Sequence, residues 1–169
     1  MVDIHHLLKS KAFRQGVSFG IISSAMTALG ISLSQWSSNG QFKAIVASII
    51  GLSISNSLAD AFSIYMSDRA TGKNREGLLS GSIVAVIEFF APYLFLVPFL
   101  IFSKTTAVVV NAILGVALVG ATGFHIAKEQ GRNDKQIVED MVLYVGVTLA
   151  IMIATYYAGK VASYVTRRK

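Results

Sequence analysis

The chain has 169 residues, of which 53% are hydrophobic and only 14% are charged, with a formal net charge of +6 and a mean hydropathy of +0.60. A soluble domain usually carries about 25% charged residues, so the composition argues against a soluble globular protein. The charges are segregated between long apolar stretches, a pattern that predicts an integral membrane protein. The absence of cysteine excludes disulfides and thiolate metal ligands.

Five apolar stretches follow one another, and each is long enough to cross a bilayer core, for which about 20 residues are needed. They are Gly16–Leu33, Ala44–Ser67, Leu79–Phe102, Ala107–Ile126 and Met141–Val165. Ten-residue segments with alternating polarity, which are typical of a transmembrane barrel, are absent from the sequence. We therefore predict an all-α membrane bundle of five transmembrane helices that forms one domain over residues 1–169.

The connections between these stretches are short. Ser38–Gly40 predicts a turn after the first span, and Lys104–Thr106 a tight turn before the fourth. Asp68–Leu78 and Ala127–Asp140 are predicted to be the longest loops. The first twelve residues are predicted to form a short amphipathic surface helix that carries His5 and His6. Adjacent histidines do not share a helical face, which favours a surface role for them over metal binding.

The distribution of basic residues predicts the orientation. With the N-terminus inside, the inner segments hold nine basic residues and the outer loops hold two, Lys43 and Lys104. The nine are Lys9, Lys11, Arg14, Arg69, Lys73, Arg75, Lys128, Arg132 and Lys135. The positive-inside rule then predicts a cytoplasmic N-terminus and a C-terminus outside, although the basic C-terminal tail argues weakly against this. Orientation explains the net charge without a nucleic-acid partner. No signal-peptide pattern is present, so the first span is expected to stay in the mature protein.

Polar residues inside the second span are the most informative feature. Ser53, Asn56, Asp60 and Ser63 are spaced by three and four residues and share a helical face. A carboxylate at the centre of a membrane helix costs about 2.5–3.5 kcal/mol on insertion scales, and a partner must offset that cost. Asn56 lies one turn before Asp60, so the amide oxygen of Asn56 and the carboxylate of Asp60 together predict a site for a hard divalent cation. The alternative is a structural Asp60 that pairs with a Ser or Thr of the first span.

Glu88 is a second acid inside an apolar span, and Pro92 follows it one turn later. Proline cannot donate a backbone hydrogen bond, so a backbone carbonyl near Glu88 loses its partner. A carboxylate beside a free carbonyl predicts an ion or proton site. In the alternative interpretation, Pro92 and Pro98 only kink the helix.

The first span carries two neighbouring faces. Ser23 and Thr27 lie on one face, and we predict that they line a path through the membrane together with Ser63. Taken alone, these Ser and Thr residues favour helix packing as the alternative interpretation. The small residues Gly16, Gly20, Ser24 and Ala28 recur every fourth position on the other face, which predicts close helix packing.

Other titratable residues are expected to have structural roles. His125 lies at the cytoplasmic end of the fourth span, where an anchoring role is favoured over metal binding or titration. Glu139 and Asp140 open the fifth span, where acids in the first turn are ordinary helix capping. No nucleophile–base spacing, metal-binding histidine cluster or phosphate-binding glycine loop is present in the sequence, so we predict no catalytic residue, no cofactor and no enzyme activity.

Three segments resemble the vacuolar iron transporter family. Phe19–Gly30 resembles the family's first-span sequence D-G-L-V-T-T-x-x-x-x-x-G. Asn56–Ile64 resembles the second-span sequence N-L-L-A-D-G-F-S-M, and Tyr156-x-x-Gly159 is similar to the closing Y-x-x-G. The resemblance implies a short, divergent member of the family, with a short basic loop in place of the acidic cytoplasmic insert.

The resemblance also implies a function. It implies a homodimeric carrier that exports Fe²⁺ or Mn²⁺ from the cytosol in exchange for protons, with Asn56 and Asp60 as metal ligands. Glu88 would complete the site or carry protons. We expect a prokaryotic plasma membrane, or a vacuolar-type membrane in a eukaryote. The family has Asp where Phe19 stands and Met where Ile64 stands, which leaves two alternatives: a membrane scaffold without transport, and a carrier of another small solute.

Overall fold

The computed structural model describes residues 10–166, and this part of the chain consists of helices joined by turns. The helices are α1 (Lys11–Ser37), α2 (Phe42–Ala70), α3 (Asn74–Phe90), α4 (Val97–Ile101), α5 (Lys104–Glu129) and α6 (Asp134–Thr166). A 3₁₀ segment, Ala91–Phe95, joins α3 to α4. His5, His6, most of the predicted surface helix and the last three basic residues lie outside the described residues.

Five helical stretches are long and apolar enough to cross a membrane, and α3 and α4 together form the third of them, Asn74–Ile101. This confirms the prediction of an all-α membrane protein with five spans. The direction in which the chain crosses the membrane stays a prediction.

The predicted loops were too long. Helix α2 continues to Ala70 and α3 begins at Asn74, so the connection predicted at Asp68–Leu78 is a turn of three residues, 71–73. The connection predicted at Ala127–Asp140 is similarly reduced to residues 130–133. Gly72 and Gly131 have positive φ angles of 80° and 68°, and glycine in this conformation ends a helix within one residue. The charged residues that suggested loops therefore belong to helix ends that extend beyond the apolar core.

The other two predicted turns, at Ser38–Gly40 and Lys104–Thr106, can also be compared with the structure. The turn at Ser38–Gly40 is confirmed, with Asn39 at φ 62°. The turn predicted at Lys104–Thr106 was placed too late, because these residues form the first turn of α5. The Ser103 side chain accepts a hydrogen bond from the Thr106 backbone N–H at 3.4 Å, so Ser103 caps the helix and the turn precedes it.

Helix α1 is the centre of the bundle, and its small residues explain why. Gly16, Gly20, Ser24 and Ala28 are all buried, as the four-residue spacing predicted. A Cβ atom on Gly16 would lie 2.9 Å from the Ile83 Cβ, and one on Gly20 would lie 2.9 Å from the Ile87 Cβ. These glycines let α1 and α3 approach closely, which brings the polar residues of both helices to the same depth.

The third span is broken in its C-terminal half. The Phe99 N–H donates to the Leu96 carbonyl at 3.0 Å, in 3₁₀ register. It therefore does not donate to the Phe95 carbonyl four residues back, as it would in an α-helix. The Asn111 side chain of α5 donates a 2.8 Å hydrogen bond to that carbonyl. A backbone oxygen without a partner inside a membrane costs several kcal/mol, and Asn111 removes that cost at the break.

Helix α6 lies at the edge of the bundle. Only 6% of its apolar window is buried within the chain, compared with 50% for α1. Its exposed side chains include Val142, Leu149 and Ile153. Such an apolar outer surface is expected to contact lipid.

Candidate functional site

Two cross-helix hydrogen bonds join the polar residues of α1 and α2. The Ser23 hydroxyl donates to the Asp60 Oδ2 at 3.1 Å. One turn away, the Asn56 amide Nδ2 donates to the Thr27 hydroxyl at 3.3 Å. Residues four apart on a helix lie one above the other, so the two pairs form a short ladder between the helices. The structure thus brings four of the six predicted site residues together.

Glu88 of α3 lies next to these hydrogen-bonded pairs of α1 and α2. Its side chain is 1% exposed, and neither carboxylate oxygen has a hydrogen-bond partner within the described part of the chain. Ser23 and Asp60 are the polar side chains that interact with it electrostatically. In the sequence Glu88 is an isolated acid; the packing of α3 on α1 and α2 places it beside Asp60.

A small cavity lies where these three helices meet. Its volume is about 10 Å³, which is about the space that one water molecule needs. Its polar lining consists of Ser23, Ser24, Thr27, Ser53, Asn56 and Glu88. The Ser24 hydroxyl is buried without a partner among residues 10–166. Unpartnered oxygens around a small space can bind a water molecule, a proton or a cation without first breaking a bond.

The oxygen atoms grouped around this site are of the kind that binds hard cations. Carboxylate, amide and hydroxyl oxygens are ligands of hard divalent cations, and Mn²⁺ also accepts carboxylate and water ligands. The described residues contain no group of three or more His, Cys, Asp or Glu side chains that could hold a metal. A cation bound by the two carboxylates would therefore need hydroxyl, amide or water oxygens as its other ligands.

Ser63, which was predicted to line the path, lies outside the cluster. It is exposed, and its hydroxyl donates to the Ala59 carbonyl of its own helix at 2.8 Å. At about 100° per residue, Ser63 falls at the edge of the α2 face centred near Asp60, and the adjacent Ile64 takes the buried position.

The titratable residues near the helix ends lie away from the cavity. His125 is exposed and its Nε2 lies 3.5 Å from Glu129. Glu139 pairs with Lys135 at 3.9 Å and Asp140 with Arg132 at 3.6 Å. Because α6 begins at Asp134, Glu139 and Asp140 lie beyond its first turn, and the expectation that they cap its start was wrong. They form ion pairs at the helix end.

Two polar residues of the cavity lining were not among the predicted site residues. Ser24 belongs to the small-residue face of α1, where helix packing was the favoured interpretation. Ser53 lies one turn before Asn56, and that shared face was the signal that could have included it. Phe19 is 41% exposed and does not line this cavity.

No protein-family model, curated protein or solved structure matches this chain. The resemblance to the vacuolar iron transporter family therefore stays a prediction, which rests on the residues of the first, second and last spans. The geometry of the cluster is the independent ground for a functional proposal.

Proposed function

We propose that this protein transports a divalent metal cation, Fe²⁺ or Mn²⁺, out of the cytosol in exchange for protons. The observation that carries the proposal is the convergence of Asp60 and Glu88 with the Ser23 hydroxyl, inside a bundle of membrane-crossing helices. Intramembrane acids are costly and mark ion and proton paths. Asn56 and Thr27, one turn away, would supply further oxygen ligands.

Charge balance suggests how the exchange would work. Two ionised carboxylates carry a charge of −2, which one divalent cation or two protons neutralise equally. The two carboxylates would therefore exchange one divalent cation for two protons without leaving an uncompensated charge in the low-dielectric interior, where such a charge is most costly. Water would complete the coordination of the cation, and a site with only two carboxylates would bind it weakly enough for release.

The partial exposure of the cluster supports a homodimer. Ser23, Thr27, Asn56 and Asp60 are only half-buried in a single chain, and polar side chains within membrane spans face a protein interior or a water-filled cavity. A second copy packed against this flank of α1 and α2 would keep lipid away from the site.

Transport is tested with the purified protein in liposomes that contain a metal-sensitive dye and carry a proton gradient. We expect Asp60→Asn and Glu88→Gln each to lower Mn²⁺ or Fe²⁺ flux tenfold or more, because losing a contact worth ~1.4 kcal/mol changes affinity about tenfold. Glu139→Gln is the matched control, since it neutralises an exposed acid with an ion pair of 3.9 Å. Wild-type flux in both Asp60→Asn and Glu88→Gln would reject the site.

A scaffold without transport is the second candidate, and the hydrogen bonds favour it. Ser23–Asp60 and Thr27–Asn56 join α1 to α2 directly, which is also how polar residues stabilise a membrane bundle. A scaffold predicts that Mn²⁺ leaves the thermal unfolding of the wild type unchanged, whereas a ligand at 100 times its Kd stabilises by about 2.7 kcal/mol. Parallel flux panels with metals and with small organic solutes test whether another solute is carried.

A further inference from the structure

A wide groove lies at the end of the bundle that holds the start of α1. It is bounded by α1, α5 and α6 and has a volume of about 570 Å³, far larger than the cavity of the polar cluster. We call it the basic groove. The lining residues that matter here are Lys11, Arg14, Phe19, Ile22, Glu129 and Tyr144.

The basic groove is polar at one end and apolar at the other. Lys11 and Arg14 lie in the first turn of α1, while Phe19 and Ile22 line the groove farther along the same helix. At 1.5 Å per residue, Lys11 to Ile22 spans about 16 Å along the helix axis. A ligand that fills the groove must therefore carry its polar group near Lys11 and an apolar chain beside Ile22.

The polar end has a positive excess. Arg14 lies 3.5 Å from Glu129 and is only partly buried, and Lys11 has no ion pair with any of the described residues. The lining thus holds two positive charges and one negative charge. This net positive charge disfavours a metal cation as the occupant of the groove. An anion is attracted.

The apolar end continues toward the polar cluster. A second space of about 350 Å³ shares Phe19 and Ile22 with the groove and extends past Met26 to Ser23 and Thr27. The two spaces therefore lie next to each other along one face of α1.

We propose that the basic groove binds an anionic phospholipid, with the phosphate at Lys11 and Arg14 and one acyl chain along Phe19, Ile22 and Met26. The proposal is independent of the transport function, because none of its charged residues belongs to the cluster around Asp60. Basic pockets between membrane helices are suited to anionic headgroups, and the apolar floor favours a lipid over a soluble phosphate.

The test places a fluorescent reporter in the groove. Trp36 is the single tryptophan of the chain and lies at the opposite end of α1, so the reporter protein is the full chain with Trp36→Phe and Phe19→Trp. It is placed in neutral phosphatidylcholine and titrated with phosphatidylglycerol that carries brominated acyl chains, which quench tryptophan on contact. Brominated phosphatidylcholine is the reference lipid, and soluble glycerol phosphate tests the headgroup alone.

We expect half-maximal quenching by phosphatidylglycerol at about a fivefold lower mole fraction than by phosphatidylcholine, since one net basic charge is worth about 1 kcal/mol at an anionic lipid. In this reporter, Lys11→Gln with Arg14→Gln should abolish the preference. Lys43→Gln with Lys135→Gln removes the same charge outside the groove and should retain it. Circular dichroism checks that each variant is folded.

Three outcomes would overturn the proposal. Equal quenching by the two lipids would show that the groove does not select a headgroup. Displacement by glycerol phosphate at comparable concentration would assign the cations to a soluble anion. Protection from both lipids that disappears on dilution of the protein would show that a second copy fills the groove.

Native mass spectrometry supplies an independent measure, because a bound phosphatidylglycerol should survive in the wild type and be lost from the Lys11→Gln, Arg14→Gln variant.

Discussion

A Cβ atom on Gly159 of α6 would make shorter contacts than one on any other glycine of the described bundle, and replacing Gly159 with alanine should separate α6 from α1. A Cβ atom there would overlap the Ser37 hydroxyl and the backbone oxygen of Ser34. The Ser37 hydroxyl already folds back to donate to the Ser34 carbonyl at 3.0 Å. The hydroxyl could rotate away, but the Ser34 oxygen is backbone, so the helices themselves must move apart.

The magnitude follows from two opposing effects. Overpacking a well-packed interior typically costs about 1–3 kcal/mol. Replacing glycine with alanine within a helix returns up to about 1 kcal/mol. Gly146 lies in the same helix and a Cβ atom there would contact nothing within 4 Å, so Gly146→Ala has the gain without the cost. Gly159→Ala should therefore be less stable than Gly146→Ala by about 1–3 kcal/mol.

The assay is reversible unfolding of the purified protein in mixed micelles, with the denaturing detergent increased stepwise and helix content read by circular dichroism. Gly159→Ala should unfold at a lower fraction of denaturing detergent than the wild type, and Gly146→Ala at an equal or higher one. If both variants matched the wild type, the close contact between α1 and α6 would be refuted.

Three further predictions concern other contacts. Asn111→Leu leaves the Phe95 carbonyl without its 2.8 Å donor and should lower the unfolding free energy by about 1–3 kcal/mol, measured in the same micelles beside Val109→Leu as an exposed control. Gly20→Val would press on Ile87, because even a single Cβ atom on Gly20 would lie 2.9 Å from the Ile87 Cβ; it should both destabilise the protein and displace Glu88, so metal flux should fall. Ser63→Ala removes an exposed hydroxyl that bonds only to its own helix, and its flux should equal that of the wild type; a loss would place Ser63 on the path after all.

The sequence was sufficient for the number of spans, because hydropathy over about 20 residues reflects a requirement of the bilayer that applies to each helix separately. The packing role of Gly16 and Gly20 was also readable from their spacing. Helix ends were less predictable. Charged residues such as Asp68 suggested loops, yet the helices continue until a glycine with positive φ ends them.

The site was predicted in part. Asn56 and Asp60 share a helical face by spacing alone, and so do Ser23 and Thr27. Ser63 satisfied the same spacing but lies at the edge of that face and is exposed. Ser24 was assigned to packing, although it both packs and lines the cavity, because a small polar residue at a close helix contact can do both.

By itself, the sequence determined that this is a five-span helical membrane protein with two intramembrane acids, since those properties depend on the composition and period of each segment. Only the tertiary structure decided that Glu88 lies beside Asp60 and Ser23, and that Asn111 supports the break near Pro98. Those contacts join residues 16 to 65 positions apart. They depend on which helix faces approach each other, and that choice is made by glycine contacts between helices and not by any one segment.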